Sequence, residues 1–454
     1  MPAWEYQPGK LTLRSQDPAP QHAGARGVID PFGAPGGGDP DRKGFGALLI
    51  RPKGGRRTAR FVGLSFAITV VATLPAFLIG ALSVSLRMDL GISLSAIGLA
   101  IAVNRGSGAL MAGALGRLAD RLGPSTSMRL AAAIAAGCAL GILVAADRWV
   151  VVYGVVAVGG GASPLAQASA NLTLRRTVRD NRQGLAFGLK QSALPISGAL
   201  AGIAVPLVAL TIGWRWCFVF AAALALLVGL AVPSTGGGPS SSTEVPTAQR
   251  GAVDRTLLLV LALGLFLGAT PTSALSAFTV ESGVTVGFSE GTAALILTAG
   301  SLIAIAVRLG LGFYADRHRT GHLRIIVAMV AVSALGHLAL SLGEVWSFLL
   351  GGIIAFAFGW GYAGLFWFVV TRISGVSPGR ATGLVLPGGM VGAMLGPVLF
   401  GFIVDEVGHG GAWFVMAILS AASAAMLGFA WHLSGRTPAG QGPPGLPLDA
   451  PGVI

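Results

Sequence analysis

Charge is what this chain has least of. Asp, Glu, Lys and Arg make up 11% of its 454 residues, against 53% apolar residues, whereas soluble domains carry roughly a quarter charged residues. A water-soluble globule of this length is thereby excluded. Acids are scarcest where they matter most. Asp89, Asp147, Glu290, Glu344, Asp405 and Glu406 fall between the long apolar runs or at their ends, and Glu281 lies near the end of one. A cationic drug or a sugar moved by a buried Asp/Glu proton relay would lack its machinery. Cysteine and histidine are nearly as sparse. Cys138 and Cys217 both sit inside apolar runs and the six histidines are scattered, which gives neither a disulfide framework nor metal-ligand spacing. No metal, no cofactor and no catalytic constellation is expected, so the chain does not read as an enzyme.

What is present in abundance is apolar sequence, glycine (69 residues) and a net charge of +13. In a soluble chain such an excess of Arg and Lys would suggest nucleic acid. Here the arginines lie in the connections between apolar runs, so the charge reports topology and no nucleic-acid partner is expected. Runs of about 20 residues suffice to cross a bilayer. Twelve such runs are counted, six between 61 and 232 and six between 256 and 433. The expectation is an all-α integral membrane protein with 12 transmembrane helices in two pseudo-symmetric six-helix bundles. Its parts are a disordered cytoplasmic tail (1–59), an N-terminal bundle (60–233), a cytoplasmic linker (234–254), a C-terminal bundle (255–433) and a disordered tail (434–454). Arginines test the count independently. Arg117, Arg121, Arg129, Arg175, Arg176, Arg179, Arg182, Arg250, Arg255, Arg317, Arg319, Arg324, Arg372 and Arg380 all fall on one side of that plan, and Arg87, Arg148 and Arg215 on the other. By the positive-inside rule both termini are cytoplasmic and the chain is a multi-pass protein of the cell (inner, cytoplasmic) membrane.

One short charged stretch is written twice. Gly116-Arg117-Leu118-Ala119-Asp120-Arg121-Leu122-Gly123 separates the second and third runs, and Gly312-Phe313-Tyr314-Ala315-Asp316-Arg317 repeats its Gly, Ala, Asp and Arg after the eighth. With the two sets of six runs and the central tether, this resembles the major facilitator superfamily of secondary transporters, whose turn between helices two and three reads Gly-x-x-x-Asp-Arg-x-Gly followed by basic residues. Gly116, Asp120, Arg121 and Gly123 match the first copy, and Gly312, Asp316 and Arg317 the second. Pro124 stands where a basic residue is usual. The resemblance implies a conformational latch formed by these residues, with Asp120 facing the start of helix eleven near Arg380. It also implies two bundles that rock around a central site. The branch within the family is not specified. The Gly-x-x-x-Gly-Pro signature of drug antiporters is missing from the fifth run, and the stretch from Gly392 to Gly396-Pro397 has that spacing but lies on the eleventh.

Cations inside the runs carry the reading of the cargo. Arg105 is eleven residues before Gly116, about 16 Å from the helix end at 1.5 Å per residue, close to the bilayer middle. Lys190 is six residues into the fifth run and able to reach toward the same depth. Arg308, four residues before Gly312, is expected to snorkel or to join the second latch. A buried cation with no internal counter-ion awaits an anion from outside. The substrate is therefore expected to be a small organic anion, carboxylate-like, held by Arg105 with Lys190. Gln167 and Asn171 on the fourth run and Trp360 and Tyr362 on the tenth are candidate lining. Pro271 marks a candidate hinge, and His337 is expected to be packed and hydrogen-bonded. The small-molecule substrate, a coupling proton or exchanged anion, and the lipid bilayer are the expected partners of a monomer. The competing expectation is efflux of an amphipathic drug or natural product, suggested by the aromatic tenth run.

Overall fold

The computed structural model describes residues 56–177, 183–233, 255–318, 320–373 and 378–434. The two terminal tails and the linker lie outside the described residues, as do Arg179, Arg182, Arg250 and Arg319. The side chains of Arg175, Arg176 and Arg380 are likewise outside them.

The described chain is helical throughout: α1 (Arg56–Ala81), α2 (Ser83–Leu90), α3 (Leu94–Ala145), α4 (Trp149–Gly159), α5 (Ala162–Thr177), α6 (Gln183–Gln191), α7 (Ala193–Ala204), α8 (Leu210–Ile212), α9 (Trp214–Ala231), α10 (Arg255–Val286), α11 (Glu290–Arg317), α12 (His322–Ser341), α13 (Val345–Ile354), α14 (Ala363–Ile373) and α15 (Pro378–Ser434). Two π-helical turns, Val205–Ala209 and Ala355–Trp360, interrupt the fifth and tenth apolar runs. Ten helical stretches are long and apolar enough to cross a membrane.

Two of those stretches are longer than one crossing. At 52 residues, α3 would extend about 78 Å if straight, well over twice the hydrocarbon thickness. It breaks at Gly123 (φ 77°, ψ 167°), and α15 breaks the same way at Gly408 (φ 79°, ψ 175°). The charged motif after the second run is therefore not a loop. Residues Gly116 to Leu122 continue the helix, and the reversal is made at Gly123 alone, a backbone conformation that costs a residue with a Cβ about 1–2 kcal/mol. Ser127 steadies the corner by donating to the Gly123 carbonyl at 2.8 Å.

Local geometry repeats with the sequence. Ser93 caps α3 by accepting the Ala96 N–H, and Ser289 caps α11 by accepting the Thr292 N–H. Gly91 and Gly287 precede them with φ of 63° and 112°. The offset is constant: 289 less 93, 312 less 116 and 316 less 120 all give 196.

Glycine sets how closely helices approach. Gly388, Gly392 and Gly396 recur once per turn on α15, and a Cβ there would lie 2.1, 2.3 and 2.2 Å from the carbonyl oxygens of Ala262, Phe266 and Thr270 on α10. Only glycine permits that backbone contact. Gly198 and Gly202 do the same work between α7 and α11, whereas Gly137 has nothing within 4 Å.

Side-chain contacts define two ends of the bundle. The Gly91 end collects Arg87, Asp89, Asp147, Arg215, Glu281, Glu290, Asp405 and His409. The Gly123 end carries the exposed residues Arg117, Asp120, Arg121, Arg317 and Arg324. Proline does not interrupt α10, which runs through Pro271. Thr272 and Ser273 beside it donate to the Gly359 and Ala393 carbonyls at 3.0 and 2.8 Å.

Candidate functional site

Between the two ends, two arginines bracket an aromatic pair. The Arg105 guanidinium of α3 lies 5.3 Å from the ring centroid of Phe77 on α1. Phe77 and Trp360 are 6.0 Å apart, centroid to centroid. The Arg308 guanidinium of α11 is 5.7 Å from the Trp360 ring. Residues from both halves of the sequence thus form one row, cation, ring, ring, cation.

Arg308 does not snorkel. It is 2% exposed and its donors are spent on carbonyls that the helices cannot use. Pro195 has no N–H, so the carbonyl of Gln191, four residues earlier, has no helical partner, and Arg308 Nη1 donates to it. Trp360 ends a π-helical turn, and its carbonyl accepts from Arg308 Nε at 3.0 Å and Nη2 at 2.6 Å. Charge-assisted bonds of this kind contribute about 1.5–3 kcal/mol each, enough to offset desolvation of several kcal/mol. Arg308, on α11, ties α6 to the π-helical turn Ala355–Trp360.

Arg105 has no such compensation. Its Nε is buried without a hydrogen-bond partner, and its one described interaction is the contact with Phe77. The side chain is half-buried, and a cation over a ring is worth about 0.5–2 kcal/mol, which leaves the buried Nε uncompensated. The three ion pairs among the described residues all lie at the Gly91 end, so neither arginine of the row faces a carboxylate. An anion entering here would relieve Arg105 and leave Arg308 in place.

The other candidate residues are distributed as follows. Lys190 is half-buried on α6, adjacent in sequence to Gln191, whose carbonyl holds Arg308. Trp360 is in the row. Tyr362 is not: it packs edge-on to Phe366, and its hydroxyl sits with Ser423 beside Gly268, between α10 and α15. Gln167 donates to Ser163 on its own helix at 3.2 Å, and Asn171 is exposed. His337 is buried, with Nδ1 3.1 Å from Ser420 Oγ and its ring stacked on Trp413.

Phe77, in the row, and Ser301, beside it, were not among the residues picked out from the sequence, and Gly198 was read only as a helix-packing glycine. A Cβ at Gly198 would lie 2.9 Å from Ser301 Oγ, 3.1 Å from Trp360 and 3.6 Å from Phe77. Ser301 is buried, and its hydroxyl has no partner. The one signal was Pro195, which announces a free carbonyl at Gln191.

The two copies of the charged motif behave differently. Asp316 accepts the backbone N–H of Leu185 in the first turn of α6 at 3.0 Å, a carboxylate against the positive end of a helix dipole. Asp120 is exposed, and its expected neighbour Arg380 lies outside the described side chains. Helices pack unevenly as well. The close glycine contacts of α6 and α7 with α11 run from Gly188 to Gly202, while those of α3 with the first part of α15 (Gly98 with Pro397, Gly401 with Leu94) sit toward the Gly91 end.

Such a fold and centre define a class: an all-helical, multi-pass membrane protein whose middle is built from polar groups at helix breaks. The chain belongs to the Major Facilitator Superfamily, whose sequence profile matches residues 61–378. Members of that family are transporters. Over 259 residues the chain is 29% identical to monocarboxylate transporter 11 of Homo sapiens, covering 52% of this chain and 54% of the relative. The chain therefore spans about half the length of that relative. Among solved structures it is similar to the D-xylose-proton symporter, with a TM-score of 0.65 over 81% of this chain and 97% of the other. At 16% identity that likeness shows the fold alone.

Proposed function

We propose that this protein carries a small organic anion, a carboxylate, across the cytoplasmic membrane by alternating access. Twelve crossings form two six-helix halves, with α3 and α15 each crossing twice, and the Gly123 end faces the cytoplasm by the positive-inside rule. The observation that carries the reading is Arg105: a half-buried side chain whose Nε is buried without a hydrogen-bond partner and which is linked through the Phe77 and Trp360 rings to the buried Arg308. Arg105 takes the carboxylate, the Phe77 and Trp360 rings pack its apolar part, and Arg308 raises the local positive field while bonded to the backbone. The relative that transports monocarboxylates supports this choice over a sugar. Substrate binding draws the halves together because the charge needs partners from both.

The test is transport by purified protein in liposomes. Labelled monocarboxylates, D-xylose and a cationic dye are offered to wild type, Arg105→Ala and Arg105→Lys. Carboxylate uptake that falls at least tenfold in Arg105→Ala and is partly kept in Arg105→Lys is expected. Undiminished carboxylate transport by Arg105→Ala, or movement of the dye alone, removes the proposal. Dye movement is the outcome that efflux of amphipathic compounds requires, a reading favoured by the Phe77 and Trp360 rings.

A further inference from the structure

The two π-helical turns differ in what holds them. Val205–Ala209 contains Pro206, whose missing N–H removes the α-helical donor to the Gly202 carbonyl, so the departure from α spacing there is written in the local sequence. Ala355–Trp360 reads Ala-Phe-Ala-Phe-Gly-Trp and has no proline. What holds it comes from other helices. The carbonyls of its last two residues each accept from a side chain outside the segment: Gly359 from Thr272 Oγ1 on α10 at 3.0 Å, and Trp360 from Arg308 Nε and Nη2 on α11 at 3.0 and 2.6 Å.

A π-helical turn holds one residue more than the α-turn it replaces, and one residue is about 100° of rotation about the helix axis. Relaxation to α spacing would therefore swing Trp360 relative to α13 and take its ring out of the row with Phe77. Arg308 holds one of the two carbonyls and belongs to the row itself. Thr272 holds the other and carries no charge. It is half-buried, and its one hydroxyl proton is shared with the Gly268 carbonyl of its own helix at 2.7 Å, the ordinary bond of a helical threonine. Only the bond to Gly359 crosses to another element. Gly359 in turn has no room for a side chain: a Cβ there would lie 3.1 Å from Ser333 Cβ and 3.6 Å from His337 Cε1, both on α12. Two neighbouring helices, α10 and α12, thus bear on this one residue.

We propose that Thr272 is a positioning residue of the transport site: by donating to the Gly359 carbonyl it keeps Ala355–Trp360 in its π form, and so keeps the Trp360 ring in line with Phe77 and the two arginines. It acts through Trp360 and not on the cargo directly. Its effect on transport rests on the row being the anion site; its effect on the ring does not. A displaced ring weakens packing of the apolar part of the cargo and leaves the moving helices as they are, so KM rises while kcat holds.

The experiment has two arms. In the first, full-length protein is labelled with fluorotryptophan and its nine tryptophans are followed by fluorine NMR without any cargo, the Trp360 signal being assigned by its loss in Trp360→Phe. Thr272→Val, which keeps the shape and removes the donor, is expected to shift or split that signal and to leave those of Trp149, Trp214 and Trp346 in place. Thr272→Ser, which keeps the donor, should hold the wild-type position. Should Thr272→Val fail to fold, Thr272→Ala takes its place. In the second arm, uptake of labelled monocarboxylates into liposomes is expected to show KM raised about 2- to 10-fold in Thr272→Val, the worth of one neutral hydrogen bond, with kcat kept and Thr272→Ser close to wild type. An unmoved Trp360 signal, a shift that Thr272→Ser shares, or an unchanged KM would each overturn the proposal. Absence of carboxylate uptake by wild type refutes the anion reading instead, and the fluorine signal then decides whether Thr272 places Trp360.

Discussion

Two glycine contacts at opposite ends of the protein should push its conformational equilibrium in opposite directions. On α3, about one turn beyond the Ser93 cap, a Cβ at Gly98 would sit 2.3 Å from the Pro397 carbonyl oxygen of α15 and 2.9 Å from its carbon. Ordinary contact is near 3.4 Å, so Gly98→Ala forces the two backbones about 1 Å apart wherever they are closed. Overpacking of this kind costs about 1–3 kcal/mol, which corresponds to roughly a 5- to 150-fold change in the ratio of closed to open states. Gly188 on α6 is the counterpart nearer the Gly123 end, where a Cβ would lie 2.7 Å from the Arg308 carbonyl oxygen. Spin labels on Met88→Cys and Val407→Cys, both at exposed positions, report the first end. A second pair at Arg117→Cys and Arg324→Cys, both exposed, reports the other. Gly98→Ala is expected to lengthen the first distance and Gly188→Ala the second. Should either variant lengthen both distances, or neither distance move, these contacts do not distinguish the states and the reasoning fails.

Arg308 yields a test of what its three backbone bonds contribute. Lysine keeps the charge but reaches one carbonyl where arginine reaches two, so Arg308→Lys should lose about 2–4 kcal/mol, an unsatisfied carbonyl plus a poorly compensated charge. Arg308→Met removes the charge with its desolvation cost and should melt at a higher temperature than the lysine variant in detergent; the reverse order would refute the account. Outside the membrane-spanning helices, Asp89 is held below the usual carboxylate range chiefly by the Trp214 indole N–H; desolvation opposes this, and the bond to and charge of Arg215 add to the lowering. A depressed folded value stabilises above the unfolded carboxyl value and is lost as pH falls through the folded one. Asp89→Asn should therefore lower the melting temperature at neutral pH, and the gap to wild type should close below about pH 4; a gap that persists there would show that charge is not its cause.

Much of this molecule follows from one-dimensional properties. Apolar runs of crossing length must become helices, because no other open structure satisfies the backbone in lipid, and that inference requires no knowledge of neighbours. The duplicated Gly, Asp and Arg motif, and through it the family, is likewise a matter of spacing. The expectation of an anionic cargo likewise rests on Arg105 having no acid within its own run. The reversal after the second run was less legible: a Gly-Pro pair reads as a loop, yet one left-handed glycine at 123 suffices, and the helix continues to it.

Partnerships between distant helices were decided only in three dimensions. Arg308 looked able to snorkel because its position along α11 is near a helix end, but the relative placement of α6 and the π-helical turn Ala355–Trp360 brings two carbonyls to it, one 117 and one 52 residues away. Tyr362 follows Trp360 by two residues, and the helical turn between them sends one ring to the central row and the other toward Ser423. Identical Asp residues at 120 and 316 differ because one meets the first turn of a helix and the other is exposed. Glu281 seemed a peripheral acid until Arg87, 194 residues earlier, came to meet it. Hydropathy and repeat length are properties of a chain segment, whereas the worth of a charge depends on which dipoles and counter-charges surround it, and packing alone sets those.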